Sequence, residues 1–272
     1  MRVLVLGHTG MLGQALVRRL SQEDIEVLTL PRHALDALEP NFSQIGILTP
    51  DAVVNAIGLI NRRMHQQESD FLRVNSLFPR RLADYCQGLN INLIHVSTDC
   101  VFSGDAGPYD ESSPSLAVDT YGRTKLWGEP TNALVLRTSI IGPELSNFYS
   151  LLCWFLSQKG PVRGFVNHHW NGLTTWELAG VIAKLIRQGK IPFGIKHIHG
   201  QDLSKYDLLK MLAVAYGLNC HIEPFEDTQG RDTRLRTLHT EFLERLHIAP
   251  MHEQLAKLNC LSDKQGRWRE LT

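Results

Sequence analysis

The chain has 272 residues, 43% hydrophobic and 21% charged, enough apolar material for a packed core under an ordinary soluble surface. Lysine plus arginine and aspartate plus glutamate number 28 each, so no global field draws the chain to nucleic acid or an acidic membrane. The five cysteines (Cys86, Cys100, Cys153, Cys220 and Cys260) hold no CxxC pair, which argues against a zinc site or a disulfide framework, and no run approaches the roughly 20 apolar residues of a bilayer span. Met1 and Arg2 lead straight into an apolar run with no cleavage site, so the expectation is a cytoplasmic protein without nucleic-acid or membrane partners.

Val3-Leu-Val-Leu6 is a continuous apolar run closed by glycine, the pattern of a strand buried on both faces of a parallel sheet. Met11, Leu12, Ala15, Leu16 and Leu20 then recur at helical spacing. Between strand and helix lies Gly7-His-Thr-Gly-Met-Leu-Gly13, a GxxGxxG loop. Glycines there let the backbone turn tightly and approach a pyrophosphate, whose charge meets the exposed N–H groups of the helix start. Gly7, Thr9, Gly10, Met11, Leu12 and Gly13 are therefore candidate cofactor residues, a ligand-free βα turn being the alternative.

A second strand is predicted at Glu26–Leu30. Its end reads Leu30-Pro31-Arg32-His33, and the nearest acid, Asp36, lies further on. An arginine at this place can pair with a 2′-phosphate, which favours NADP while leaving NAD open. A third strand, Asp51–Asn55, closes in Asn55-Ala-Ile-Gly58, small residues over which a flat cofactor ring can pass. Phe71 to Cys86 reads as a helix. A fourth strand, Asn92–Ser97, presents Ser97, Thr98 and Asp99 at its tip, and a fifth spans Ala133–Arg137. Alternating strands and helices predict an α/β protein with a Rossmann-type, doubly wound parallel sheet.

After Gly142 the pattern changes to amphipathic helices at Trp176–Gln188 and Lys205–Tyr216, a short strand at Ile195–Ile198 and a last helix near Thr240–Leu246. The expected division is a cofactor-binding domain over 1–142 and a smaller α/β C-terminal substrate lobe over 143–272, closely packed and partly interleaved.

The segment Asp119-Thr-Tyr-Gly-Arg-Thr-Lys-Leu-Trp-Gly-Glu129 sets Tyr121 one helical turn before Lys125. Alone, such a pair is an exposed helix face. Converging with Thr98 beside a nicotinamide, it suits hydride transfer to or from a carbonyl: the phenol exchanges a proton with the reacting oxygen, a nearby ammonium lowers the phenol's pKa near 10, and Thr98 bonds the oxygen.

These pieces resemble the extended short-chain dehydrogenase/reductase superfamily and, within it, the dTDP-4-dehydrorhamnose reductase family. The matching motifs are GHTGMLG, VNAIG, the RVN of Arg73 to Asn75, HVSTDCVFSG, the PYDE of Pro108 to Glu111, YGRTKLWGE and the LRTSIIG of Leu136 to Gly142. NGLTTWELA, SKYDLLKMLA and GRDTRL match more loosely. The resemblance implies NAD(P)H-dependent 4-keto reduction of a nucleotide-linked 6-deoxysugar for surface polysaccharide. It implies Thr98, Tyr121 and Lys125 as catalytic residues, Gly10, Met11 and Leu12 as the pyrophosphate loop, and Ile57, Gly58 and Leu59 along the cofactor. Asn75 joins the cofactor set, and Asp99 is a substrate contact. Rival readings are an epimerase or dehydratase that retains NAD, and a non-catalytic regulatory subunit; a homodimer is compatible with any of them.

Two departures fall in the substrate region. Ile140 stands where the family carries a tryptophan, and Asn167–Thr175 reads NHHWNGLTT in place of an Asp-Gln-x-Gly-x-Pro-Thr segment. Both leave the sugar open, an N-acetylated amino-sugar nucleotide being the rival substrate. No metal is expected, because His168 and His169 are adjacent on an extended stretch with no spaced carboxylate or cysteine. Trp154 and Trp176 are expected in the core. Trp170, in the variable loop, is a candidate for stacking on base or sugar, and Arg231, with Arg234 and Arg236, for binding a diphosphate.

Overall fold

A computed structural model describes residues 1–60, 67–144 and 150–269. The first half runs β1 (Arg2–Leu6), α1 (Met11–Leu20), β2 (Glu26–Thr29), α2 (Ser43–Leu48), β3 (Ala52–Asn55) and α3 (Glu68–Phe71). A π-helical turn (Leu72–Leu77) then joins α3 to α4 (Phe78–Gly88), followed by β4 (Asn92–Val96), α5 (Thr120–Trp127) and β5 (Leu134–Arg137). Short elements follow: β6 (Ile140–Ile141), α6 (Leu151–Leu156), β7 (Val162–Phe165), β8 (His168–Trp170) and β9 (Leu173–Thr174). The chain continues through α7 (Thr175–Arg187), β10 (Gly194–His197), β11 (Leu203–Ser204), α8 (Lys205–Tyr216), β12 (Ile222–Phe225), β13 (Arg231–Asp232), α9 (Thr240–Glu244) and α10 (Met251–Leu261).

Alternation along β1 decides which helices cover which face. Val3 and Val5 join one core with Leu16, Ile182 and Leu185, whereas Leu4 and Leu6 join another with Ile45, Phe78 and Leu82. A strand buried on both sides has no polar position to spare, which is why the run reads as unbroken hydrophobics. The six-stranded sheet has the order β2-β1-β3-β4-β5-β10, every pairing parallel. Strand order reverses between β1 and β3, and ligands of such sheets sit outside the strands' carboxyl ends at that crevice.

The sixth strand comes from the second half of the chain. Gly194–His197, expected within the smaller lobe, instead pairs with β5 at the edge of the main sheet. The helix before it, α7, packs on α1, with the Arg19 guanidinium 5.8 Å from the Trp176 ring centroid. The two lobes consequently share one apolar core, in which Val3 and Leu16 meet Leu208, Leu212 and Leu255. The rest of the second half makes a three-stranded sheet, β11-β8-β13, and the pairs β12-β7 and β6-β9.

The helix expected from Phe71 begins at Glu68 and contains the π turn, which carries Val74, Asn75 and Ser76 inward. Trp176 is buried as expected, but Trp154 is 41% exposed, because α6 turns its Leu152, Cys153 and Phe155 to the core instead. Among the described residues no helix is long and apolar enough to cross a membrane.

Candidate active site

A cavity of about 450 Å³ opens over the crevice between β1 and β3. Its floor is the loop and helix start Thr9 to Leu12, and one wall is Ala56 to Ile60 beyond β3. The opposite wall is the β4 tip with Thr98, Asp99 and Cys100, faced by Tyr121 and Lys125 of α5. Ser139, Ile140 and Glu144 close the side toward the second lobe.

The residues present fit a dinucleotide. Helix α1 starts after Gly10 with no side-chain cap, leaving backbone N–H groups for an anion. Gly13 is required by packing: a Cβ there would come 2.0 Å from the Gly7 carbonyl oxygen, so helix and loop could not lie together. Asn75 lies behind the cleft wall. Its Oδ1 accepts from Leu59 N at 2.8 Å and its Nδ2 donates to Leu59 O at 3.0 Å, fixing the turn whose other side lines the cavity. The π turn places that amide, and such turns often occur at functional sites.

Helix α5 is set by three devices. Asp119 caps it, accepting from Gly122 N at 2.7 Å. Gly122 allows contact with the β4 tip, since a Cβ there would lie 2.1 Å from the Cys100 carbonyl oxygen. At the far end, Glu129 pairs with Arg137 of β5 (2.7 and 2.8 Å) and accepts from Ser97 Oγ at 2.6 Å. Tyr121 is thereby brought to the same cavity wall as Thr98. Lys125 donates to Val96 O at 2.8 Å. The predicted trio converges at one mouth.

Its electrostatics differ from expectation. Burial raises the Tyr121 phenol above the usual tyrosine range, the Cys100 thiol and the Asp99 and Asp119 carboxylates push the same way, and only the Thr98 hydrogen bond opposes them. Lys125 is not among the main influences on the phenol; desolvation brings the ammonium itself down to about 8, against the nearby Glu129 carboxylate. Tyr121 is thus a phenol at neutral pH, the form that gives a proton. Asp99 is raised by burial, against the field of Lys205 and hydrogen bonds from Ser139, Thr98 and Thr233.

Thr9 to Leu12, Ile57, Gly58, Leu59, Thr98, Asp99, Tyr121 and Lys125 all line the cavity. Gly7 and Gly13 lie beneath it. Arg32 follows β2, exposed, with Nε 3.1 Å from Asp36 Oδ2. Arg231, in β13, drapes its side chain over Gly104, and its charge is felt at Cys100. Trp170 corrects the sequence reading: it belongs to β8, is 4% exposed and packs in the shared core, so its ring is not a stacking platform. The Lys205 ammonium lies 5.3 Å from its centroid. Arg234 and Arg236 are committed to Asp202, and Arg234 also to Asp232.

Ser139, Thr233 and Lys205 gather around Asp99 without having been picked out in sequence. The LRTS and GRDTRL motifs contain the first two, but their convergence depends on long-range pairing. Glu129 is readable as the i+4 neighbour of Lys125, whereas its partner Arg137 lies on another element.

Comparison with known proteins accords with this geometry. The family model described as the RmlD substrate binding domain matches residues 1–243. The dTDP-4-keto-6-deoxy-D-glucose reductase of Streptomyces niveus is 33% identical over 226 residues, 77% of each chain. A crystal structure of a dTDP-4-dehydrorhamnose reductase from Clostridium acetobutylicum superposes with a TM-score of 0.81 at 20% identity, over 96% of this chain and 99% of that one. The Bacillus anthracis enzyme in complex with NADP gives 0.80, with the same identity and coverage. At that identity the two structures show the shared fold.

Proposed function

The chain belongs to the RmlD family, the dTDP-4-dehydrorhamnose reductases of the extended short-chain dehydrogenase/reductases, and from that premise we propose that it reduces the 4-keto group of a nucleotide-linked 6-deoxysugar with NADPH. It is an NADP-dependent oxidoreductase acting on a nucleotide-sugar. The observation that carries the reading is the convergence of Thr98, Tyr121 and Lys125 on the cavity that opens above the crevice where strand order reverses, with Tyr121 held as a phenol by burial.

NADPH, when bound, supplies the hydride. The α1 start would hold its pyrophosphate, Ile57 to Leu59 would flank it, Lys125 would hold the nicotinamide ribose and Arg32 the 2′-phosphate. Thr98 aligns the sugar's keto oxygen and stabilises the charge that grows on it. Tyr121 gives that oxygen its proton. Its raised pKa keeps the proton in place until an alkoxide, a far stronger base, develops within reach. Asp99 contacts the sugar, and Arg231, at the outer edge, takes the diphosphate. The product belongs to the supply of surface polysaccharide.

The test is NADPH oxidation by purified protein against a panel of dTDP- and UDP-linked 4-keto-6-deoxysugars. Stoichiometric NADPH consumption with one of them supports the reading. Turnover without added nicotinamide, from tightly held NAD, would replace it with an epimerase or dehydratase, and no oxidation across the panel with a regulatory subunit.

A further inference from the structure

Behind the cleft, three side chains form a buried line from β3 through β4 to α5. Asn55 and His95 are fully buried and Lys125 nearly so. The Ile57 backbone N–H, which can only donate, meets Asn55 Oδ1 at 3.1 Å. That contact fixes the amide, so the Asn55 NH₂ points the other way, to His95 Nδ1 at 3.1 Å. Nδ1 therefore accepts, and a neutral imidazole must carry its proton on Nε2. Burial and the adjacent Lys125 hold His95 well below the ordinary imidazole range, so the doubly protonated ring plays no part near neutral pH.

Nε2 lies 3.4 Å from Lys125 Nζ. An N–H accordingly faces the lysine. An amine can accept from it; an ammonium has three donors and no acceptor. The Val96 carbonyl on the same side serves either form.

We infer that His95 is a positioning residue: locked by Asn55 as the Nε2–H tautomer, it favours the amine over the ammonium of Lys125. The charged and titratable groups around this site are few. Glu129, just past the end of α5, favours the ammonium but is held by Arg137 of β5 and Ser97 beyond β4. Tyr121 on α5 and Asp99 and Cys100 beyond β4 face the cleft, and Asn55 of β3 and Asn75 and Ser76 of the π turn are neutral. His95 thus presents a donor to the lysine from within the sheet.

The consequence, which rests on the function proposed above, is that a cofactor ribose supplying acceptors on the cleft side favours the ammonium and raises the pH at which Lys125 titrates. Cofactor binding and lysine protonation become linked.

The test uses cofactor-free protein, so its failure leaves the nucleotide-sugar reading intact, and a failure of that reading leaves this one standing. ¹⁵N-histidine spectra of the wild type read the His95 tautomer directly, without any substitution. Nε2–H is expected; an Nδ1–H tautomer overturns the inference. Selectively labelled lysine, with the Lys125 signal assigned by its loss in Lys125→Arg, then gives the titration in wild type and His95→Phe. Removing the facing N–H, a contact worth about 1 kcal/mol, should move the Lys125 midpoint up by about 0.7 pH unit. An unchanged or lowered midpoint in a folded His95→Phe protein overturns the inference as well.

Discussion

Glu129 and Arg137 form a two-pronged ion pair, 2.7 and 2.8 Å, with both side chains at most 5% exposed. The guanidinium also lies 5.3 Å from the Phe102 ring centroid, and the carboxylate receives the Ser97 hydroxyl. The pair fastens the end of α5 to β5 and to the β4 tip, and so sets Tyr121 and Lys125 against Thr98. Removing one partner leaves a buried charge uncompensated. Arg137→Met and Glu129→Gln should each lower unfolding free energy by about 3–5 kcal/mol in urea titrations. The double variant Glu129→Gln/Arg137→Met should lose clearly less than the sum, since no charge is then stranded.

Lys125 makes stability depend on pH with a definite sign. Its pKa falls from 10.5 unfolded to about 8 in the fold, so between those values the unfolded chain binds more protons and stability rises with pH. Below about 8 the penalty is fully present, ~3 kcal/mol by linkage. Lys125→Met removes it while forfeiting the Val96 hydrogen bond, worth about 1 kcal/mol. The variant should be more stable than wild type by about 2 kcal/mol at pH 7, and the gain should fade toward pH 10. Parallel denaturation curves at the two pH values check this. Activity should be lost although stability is gained.

Asp99 sits among Thr98, Ser139 and Thr233 at the substrate side of the cleft. Asp99→Asn keeps the shape but weakens what the carboxylate can accept. KM for the sugar nucleotide should rise about tenfold or more, as for a lost charge-assisted hydrogen bond, with NADPH affinity unchanged. Steady-state kinetics and cofactor fluorescence titration separate the two.

Arg32 is exposed and, among the described residues, is held by its own loop acid, Asp36. If it meets a 2′-phosphate, Arg32→Ala should weaken NADPH binding about tenfold and leave NADH binding almost unchanged. Equal losses for both cofactors would assign Arg32 a purely local role.

Most of the cofactor half was legible because its signals are local. The unbroken apolar run of β1, the glycine loop and the helical spacing of α1 each fall within a dozen residues, and the parallel sheet follows from their alternation. Tyr121 and Lys125 were readable because one helical turn separates them. The strand Gly194–His197 was readable as a strand, yet its four residues say nothing of which sheet it joins. Trp170 was misread because burial of β8 depends on β11, β13 and the shared core, all distant in sequence. The Tyr121 environment was legible only in part: proximity to a lysine was visible, whereas desolvation of both groups exists only once the chain has folded over them.

The measurement that bears most directly on the proposed chemistry is NADPH oxidation by Tyr121→Phe beside wild type, with NADPH affinity measured in the same samples. Without the phenolic proton the keto sugar should be reduced at least about 100-fold more slowly, while cofactor binds nearly as before. A Tyr121→Phe protein that turns over the sugar nucleotide at the wild-type rate would contradict the assignment of Tyr121 as proton donor.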